Sequence, residues 1–187
     1  MKSYLITDPS IYTNNINTFE HKLNYTIQNN NIDFICFRDK ESLNYKALAE
    51  TFVNISKKNN IKNIFINSHI ELAKSLNATG VHLTSKQFDK IAYAKSMGLK
   101  VIISCHNEND INKAIENKSD YITYSPIFDT PNKGNPKGIE ELKYIVNKYN
   151  NIRIFALGGI ISKGQIKDIK STNTFGFASI RYFINNI

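Results

Sequence analysis

The chain has 187 residues, of which 41% are apolar and 21% are charged, and this composition is typical of a globular protein. Its length predicts a single domain over residues 1–187. No apolar window of about 18 residues predicts a membrane span, and the N-terminus lacks the features of a secretory signal. The two cysteines are too few for a disulfide framework or a zinc cluster, so we expect a cytoplasmic location.

The formal net charge of +8 raises the question of nucleic acid binding. The lysines are dispersed, however, and the chain contains neither a block of five basic residues nor a nucleic-acid-binding motif. We therefore expect no nucleic acid and no membrane as a partner. A basic balance also suits an anionic small molecule, such as a phosphate ester. The sequence does not indicate an oligomeric state.

Eight short and nearly continuous apolar runs recur along the chain. Runs of this kind are typical of parallel strands that are buried on both faces. They lie at residues 4–6, 32–37, 64–66, 80–83, 100–104, 121–124, 152–156 and 175–178.

Amphipathic helical patterns fill the intervals between these runs. The first helix carries His21, and Asn44 is placed to cap the second, whose apolar residues lie at 47–55. Further helices are predicted at residues 70–76, 88–95, 109–115, 139–146, 166–169 and 180–184.

The alternation of strands and helices predicts a parallel sheet with right-handed crossovers. Eight such units match a compact (β/α)8 barrel, the TIM barrel. An open, doubly wound sheet is the alternative, but the first turn, at residues 7–10, has no glycine with which to bind a dinucleotide.

Active sites of such barrels lie at the carboxyl ends of the strands, so the polar residues that follow each strand are the candidates. Gly158 and Gly159 follow the seventh strand, and Ala178 and Ser179 end the eighth. A glycine pair lets the backbone approach an anion, and the N–H groups of the short helix predicted next attract negative charge. These two loops predict a phosphate site. The alternative is a glycine turn that only reverses the chain.

Two other strand ends carry cations. Arg38 and Lys40 alternate with Asp39, so both face the same side of an extended segment and could bind a second anion. Thr130 and Lys133 lie in a long loop after the sixth strand that is typical of a lid. For Arg38 and Lys40 the alternative is a solvated charged turn, and for the loop after the sixth strand it is a plain connection between elements.

The chain has four histidines and two cysteines, and their positions predict different roles. His69 and His106 follow the third and fifth strands and are the candidate acid–base residues. His82 lies inside an apolar strand, which favours a satisfied core histidine. No pair of histidines has the spacing of metal ligands, so no metal is expected. Cys36 and Cys105 are interpreted as buried residues without a chemical role.

Along nearly its whole length, the chain resembles the thiamine phosphate synthase/TenI family. The resemblance depends on the order and spacing of several short segments. These are Tyr4-Leu5-Ile6-Thr7-Asp8, Arg38-Asp39-Lys40, Asn67 with Glu71-Leu72-Ala73, Gly80-Val81-His82-Leu83, Ser104-Cys105-His106, Pro126-Ile127-Phe128-Asp129-Thr130-Pro131-Asn132-Lys133 and Ala156-Leu157-Gly158-Gly159-Ile160.

The resemblance implies a role in thiamine biosynthesis. The synthase joins an aminopyrimidine diphosphate to a thiazole phosphate and releases pyrophosphate. By resemblance, a Mg²⁺-bound diphosphate lies near Arg38, Lys40 and Asn67, and Ser104 belongs to the same substrate site. The thiazole phosphate lies near Gly158, Gly159 and the loop after the eighth strand, and Thr130 and Lys133 belong to the lid.

The chain departs from the synthase pattern where that family binds Mg²⁺. The aspartate expected after Asn67 is Ser68, the second expected aspartate is Gln87, and the expected glutamine before the Arg-x-Lys segment is Cys36. Mg²⁺ favours carboxylate oxygens, so these residues predict that no metal cofactor is required. TenI-type members lack that metal pair and isomerise a thiazole carboxylate phosphate to its aromatic tautomer. The chain also departs from this branch, because Pro126 stands where TenI enzymes carry a histidine.

Three functions remain open from the sequence. The first is a metal-independent, TenI-like thiazole tautomerase with His106 or His69 as its base and Cys36 as a less favoured candidate. The second is an active thiamine phosphate synthase, which would use Mg²⁺. The third is a protein that binds thiazole phosphate without catalysis.

Overall fold

The computed structural model describes residues 1–40 and 42–184, and in it eight parallel strands form one closed barrel in chain order. Strand β1 pairs with both β2 and β8, which closes the sheet. This confirms the predicted compact (β/α)8 barrel. The strands are β1 (Lys2–Ile6), β2 (Phe34–Phe37), β3 (Asn63–Asn67), β4 (Gly80–Leu83), β5 (Lys100–Cys105), β6 (Tyr121–Tyr124), β7 (Arg153–Leu157) and β8 (Gly176–Ser179).

Helices connect the strands across the outside of the barrel. They are α1 (Pro9–Tyr12), α2 (Ile16–Gln28), α3 (Tyr45–Lys58), α4 (Ile70–Ser75), α5 (Ile91–Ser96), α6 (Glu108–Glu116), α7 (Gly138–Lys148) and α8 (Lys163–Lys170), with a 3-10 turn at Phe88–Lys90 before α5. Asn44 precedes α3 as predicted, but its side chain donates to the Asn14 carbonyl instead of capping the helix. Within the described ranges, no helix is long and apolar enough to cross a membrane.

The helix predicted at residues 180–184 is wrong, because the chain forms bends and turns there. The Ser179 hydroxyl accepts the backbone N–H of Tyr182 and closes a turn directly after β8. The ring of Phe183 stacks on Phe177, with 5.8 Å between ring centroids. The apolar residues of this segment therefore pack back onto β8, and so few residues cannot easily nucleate a helix of their own.

The core has two layers, one inside the barrel and one between the sheet and the helices. Alternate residues of each strand face inwards. The inner layer consists of Tyr4, Ile6, Phe34, Cys36, Phe65, Ile102, Tyr121, Phe155 and Ala178.

Two glycines make room for the rings of this inner layer. A Cβ atom at Gly80 would lie 2.6 Å from the Phe65 ring, and one at Gly176 would lie 2.6 Å from the Phe155 ring. The rings fill the barrel interior towards the amino ends of the strands. The next inward positions, at the carboxyl ends, carry Arg38, Asn67 and Ser104, which places polar side chains there.

Candidate active site

A cavity of about 490 Å³ opens at the carboxyl ends of the strands. Every strand, or the loop that follows it, contributes to its lining. This volume suits a small organic ligand, and the position is the usual one for the active site of a barrel.

The cavity is strongly positive. Five cationic side chains line it, and no aspartate or glutamate does so among the residues that the structure describes. Such a distribution attracts anions and raises their local concentration. The five residues are Arg38, Lys40, Lys86, Lys133 and Arg181.

The cavity brings together nearly all of the site residues predicted from the sequence. The residues that line it are Arg38, Lys40, Asn67, Ser104, His106, Thr130, Lys133, Gly158, Gly159, Ala178 and Ser179. The exception is His69, which is exposed and packs against the Tyr45 ring in a tilted arrangement, with 4.6 Å between ring centroids. The preceding residue, Ser68, has a φ of 64°, and this left-handed turn directs the chain away from the barrel axis. His69 is therefore not placed to act on a ligand in the cavity.

His106 has the geometry of a proton acceptor. Its Nδ1 atom lies 3.1 Å from the Ser125 carbonyl oxygen, and its backbone N–H donates to Asp110 at 2.8 Å. The carbonyl oxygen can only accept, and the Ser125 hydroxyl, 3.3 Å from the same Nδ1, can accept as well as donate. A protonated Nδ1 satisfies both contacts and leaves the lone pair on Nε2. The structure gives Nε2 no hydrogen-bond partner within residues 1–40 and 42–184. The ring can thus accept a proton from a ligand in the cavity.

His82 forms part of the cavity floor and is hydrogen-bonded at both ring nitrogens. Nδ1 lies 2.9 Å from the Tyr4 hydroxyl oxygen, and Nε2 lies 3.2 Å from the Ser104 hydroxyl oxygen. Burial, with a smaller contribution from the Arg38 charge, lowers the pKa of His82 to about 3. The ring is therefore neutral at physiological pH. The sequence predicted its satisfied hydrogen bonds but not its contact with the cavity.

Arg38 is held by residues that sequence reasoning missed. Its guanidinium forms an ion pair with Asp8 at 2.7 Å, and its backbone N–H donates to the Thr7 hydroxyl at 2.9 Å. Asp8 also caps α1 by accepting the Ser10 N–H. The residues that follow β1 thus fix the position of Arg38, which follows β2.

Lys86 is a second omission. It lies in the loop after β4 and lines the cavity. The rule that selects polar residues after each strand applies to it as well. Arg181 follows β8 and also lines the cavity, and the sequence analysis did not identify it as a site residue.

The glycine pair after β7 is required by close packing of the lid loop. Gly158 and Gly159 have φ values of 101° and 68°. A Cβ atom at Gly158 would lie 2.7 Å from the Pro126 Cα, and one at Gly159 would lie 2.4 Å from the Asp129 carbonyl oxygen. The backbone of Gly158 also accepts the Phe128 N–H. The pair therefore has a structural reason for being glycine, in addition to any contact with an anion.

The structure changes the basis of the predicted phosphate site after β8. With no helix at residues 180–184, no helix N-terminus faces an anion there. The Ser179 hydroxyl is used within the turn, because it donates to the Ile160 carbonyl at 2.7 Å and accepts from Tyr182. Arg181 supplies positive charge at this position instead.

The described residues do not fit a carboxylate-held Mg²⁺ site. Gln87 uses its side-chain oxygen to accept the backbone N–H and the hydroxyl of Thr84, at 3.0 and 3.1 Å. The Ser68 hydroxyl donates to the side-chain oxygen of Asn67. Within the described ranges, no three His, Cys, Asp or Glu side chains come together as metal ligands. Mg²⁺ sites usually need one or two carboxylates, and none is found among the described residues that line the cavity.

The two cysteines are buried, as the sequence predicts. Cys36 lies in the inner layer and Cys105 in the outer layer. Burial raises the pKa of Cys36 to about 12, so its thiol is not a reactive nucleophile.

Comparison with known proteins gives a consistent result. The chain is 31% identical to the putative thiamine-phosphate synthase 2 of Aquifex aeolicus over 186 residues, which cover 97% of this chain and 96% of that protein. It is 34% identical over 125 residues to the thiamine-phosphate synthase of Prochlorococcus marinus subsp. pastoris, a match that covers 65% of this chain but only 35% of that protein.

A similar fold is found in the structure of a thiamine phosphate pyrophosphorylase from Pyrococcus furiosus. The TM-score is 0.81 at 22% identity, with 96% of this chain and 85% of that chain covered. The family described as thiamine monophosphate synthase matches residues 3–183. The chain therefore belongs to the thiamine monophosphate synthase family, which acts in thiamine biosynthesis.

Proposed function

We propose that the protein is a metal-independent thiazole tautomerase of the TenI type that acts on a thiazole carboxylate phosphate. The observation that carries the proposal is the His106 ring, which lines a cavity with five cations and no described carboxylate, and whose Nε2 has no hydrogen-bond partner among the described residues. A phosphorylated small molecule as ligand and a cytoplasmic location belong to the same proposal.

The two sides of the cavity suit the two anionic ends of this substrate. Arg38 and Lys40 follow β2 and would bind the carboxylate, because guanidinium and ammonium groups pair with it directly. Lys133 and Arg181, with the backbone at Gly158 and Gly159, would bind the phosphate. The thiazole ring would then lie between them, beside His106.

The reaction is a proton transfer without a change in net charge. His106 Nε2 would accept a proton from one carbon of the substrate and return it to another, while Nδ1 keeps its hydrogen bond to the Ser125 carbonyl. Fixed cations would stabilise the negative charge that develops between these two steps. The role of base is assigned to His106 alone, because His69 lies outside the cavity lining.

The test is conversion of the thiazole carboxylate phosphate to its aromatic tautomer in the presence of a chelator, followed by ultraviolet absorbance and by solvent deuterium uptake. We expect turnover by the unmodified protein and a loss of about 100-fold or more in His106→Gln. His69→Gln is the matched control and should retain full activity. Absence of turnover, or full activity in His106→Gln, would contradict the proposal.

An active thiamine phosphate synthase is the second candidate, and a specific observation favours it. Cations line both sides of the cavity, so a diphosphate and a phosphate could bind together, and the relatives carry the name of synthase. Pyrophosphate release from the two synthase substrates, together with complementation of a synthase-null strain, would select this function. Ligand binding without either activity would select a non-catalytic binder.

A further inference from the structure

A chain of hydrogen-bonded polar side chains runs from the barrel interior to the cavity. It begins at the Tyr4 hydroxyl, continues through Nδ1 and Nε2 of His82, and ends at the Ser104 hydroxyl. Tyr4 is fully buried and His82 is 4% exposed, while Ser104 lines the cavity. The direction of each hydrogen bond in this chain decides what Ser104 presents to a ligand.

Two of the three groups have a defined protonation state. Burial, reinforced by the neighbouring Cys36, raises the pKa of the Tyr4 hydroxyl well above its usual value, so the phenol keeps its proton. His82 is neutral for the reason given above, so one ring nitrogen donates and the other accepts. The whole chain can therefore adopt only two directions.

The partners of Tyr4 favour one of these directions. Its hydroxyl has two neighbours that could accept its proton, the His82 Nδ1 and the Cys36 sulfur. Thiol sulfur is a weak acceptor, whereas an imidazole nitrogen is a strong one. The Cys36 thiol itself points to the Phe37 carbonyl oxygen at 3.6 Å.

We propose that Tyr4 donates to His82 Nδ1, that His82 Nε2–H donates to Ser104, and that the Ser104 hydroxyl is thereby directed to donate to an anion in the cavity. Tyr4 and His82 are then positioning residues, and Ser104 is the group that touches the ligand. This inference rests on one element of the proposed function, the anionic ligand, and does not depend on the reaction.

The charge of the cavity supports the same direction. An anion presents acceptor oxygens, so the groups around it must donate. In the opposite direction, Ser104 would donate to His82 Nε2 and turn its lone pairs towards the ligand. Such an arrangement would repel the anion that Arg38, Lys40 and Lys86 attract.

The first test is the tautomer of His82, which ¹⁵N NMR of histidine-labelled protein reports directly. Spectra are recorded without ligand and with inorganic pyrophosphate, and His82→Gln assigns the signals. We expect a bare Nδ1 and a protonated Nε2, with no second protonation between pH 5 and 8. A protonated Nδ1 with a bare Nε2 would overturn the proposal, whether or not the protein has any enzymatic activity.

The second test is a double-mutant cycle on the affinity for inorganic pyrophosphate, measured by calorimetry with a chelator present. We expect Ser104→Ala to lower the affinity about tenfold and Tyr4→Phe about threefold. In the Ser104→Ala background, Tyr4→Phe should have no further effect, because the group that it positions is absent.

Tyr12→Phe is the matched control for this cycle. Tyr12 is also a buried tyrosine, but its hydroxyl contacts Thr26 in the outer layer, so its loss should leave the affinity unchanged. Additive effects of Tyr4→Phe and Ser104→Ala would show that Tyr4 acts independently of Ser104 and would overturn the proposal. So would a failure of the unmodified protein to bind pyrophosphate, whereas loss of turnover with the cycle intact would count only against the proposed reaction.

Discussion

The two sides of the cavity are built in different ways. After β2 and β4, short segments present the charged side chains of Arg38, Lys40 and Lys86, and an ion pair with Asp8 holds the first of these. After β7, the main chain itself forms the wall, and the lid loop from β6 packs against two glycines. The first side therefore consists of charged side chains, whereas on the second side Lys133 and Arg181 are added to a wall whose shape the backbone sets.

This difference predicts which kind of substitution each side tolerates. A charged side chain at the end of a short loop can be replaced without disturbing the core, so its loss should change ligand affinity more than stability. A glycine at a positive φ with backbone atoms within 3 Å cannot be replaced without moving the chain. A substitution that displaces the backbone at these glycines should therefore lower both the stability of the protein and its affinity for the ligand.

Gly159→Ala should have the largest effect. Its φ of 68° and the 2.4 Å approach of a new Cβ to the Asp129 carbonyl oxygen require the lid loop to move. We expect the free energy of unfolding, measured with urea, to fall by about 2–4 kcal/mol. Gly134→Ala is the control, because a Cβ there meets nothing within 4 Å, and its effect should stay within about 0.5 kcal/mol. Equal effects of the two substitutions would remove the distinction between the sides.

The sequence predicted the parts of this site that follow from periodicity. Burial on both faces leaves continuous apolar runs, which predicted the barrel, and the alternation around Asp39 placed Arg38 and Lys40 on one side. The prediction from the sequence was wrong where a local conformation changes the direction of the chain. The left-handed Ser68 turns His69 outwards, and the turn closed by Ser179 replaces the helix expected at residues 180–184.

Contacts between segments that are distant in the chain could not be predicted from the sequence either. Asp8 and Arg38 lie 30 residues apart, and the pairing of β1 with β2 brings them within hydrogen-bond distance. Tyr4 and His82 lie 78 residues apart, and the closed barrel brings their side chains together in its interior. No local pattern marks such pairs. The packing of residues 126–129 against Gly158 and Gly159 likewise depends on the neighbouring positions of β6 and β7 in the sheet.

Introducing two carboxylates tests whether the side of the cavity formed after β2 and β4 binds its ligand without Mg²⁺. Ser68→Asp combined with Gln87→Asp supplies the ligand type that Mg²⁺ prefers. We expect Mg²⁺ to strengthen pyrophosphate binding at least tenfold in the double variant and to leave the unmodified protein unaffected, as measured by calorimetry with Mg²⁺ or chelator. Strong, chelator-sensitive binding or turnover in the unmodified protein would contradict the metal-independent interpretation.

Lys86→Gln tests whether a side-chain charge on this side of the cavity contributes to ligand binding without contributing to stability. The side chain is exposed and lines the cavity, so its loss should lower pyrophosphate affinity about three- to tenfold in the presence of chelator, without a change in the free energy of unfolding. Lys90→Gln is the matched control four residues later, since Lys90 lies outside the cavity lining and contacts Asp89. If both variants lose affinity equally, the effect arises from net charge and not from a cation at the site.

Lys133→Ala should change ligand affinity and stability least. It tests whether a cation contributes to binding on the side of the cavity that the glycine wall forms. The residue is a cation, but it belongs to the lid loop that packs on the glycine wall. Its side chain is exposed, so we expect a change in the free energy of unfolding below about 0.5 kcal/mol. Affinity for thiazole phosphate should fall a few-fold in calorimetry, because one charge-assisted contact is lost while the backbone wall stays in place. Unchanged affinity would mean that shape alone binds the phosphate on this side, and a large loss of stability would mean that Lys133 supports the loop.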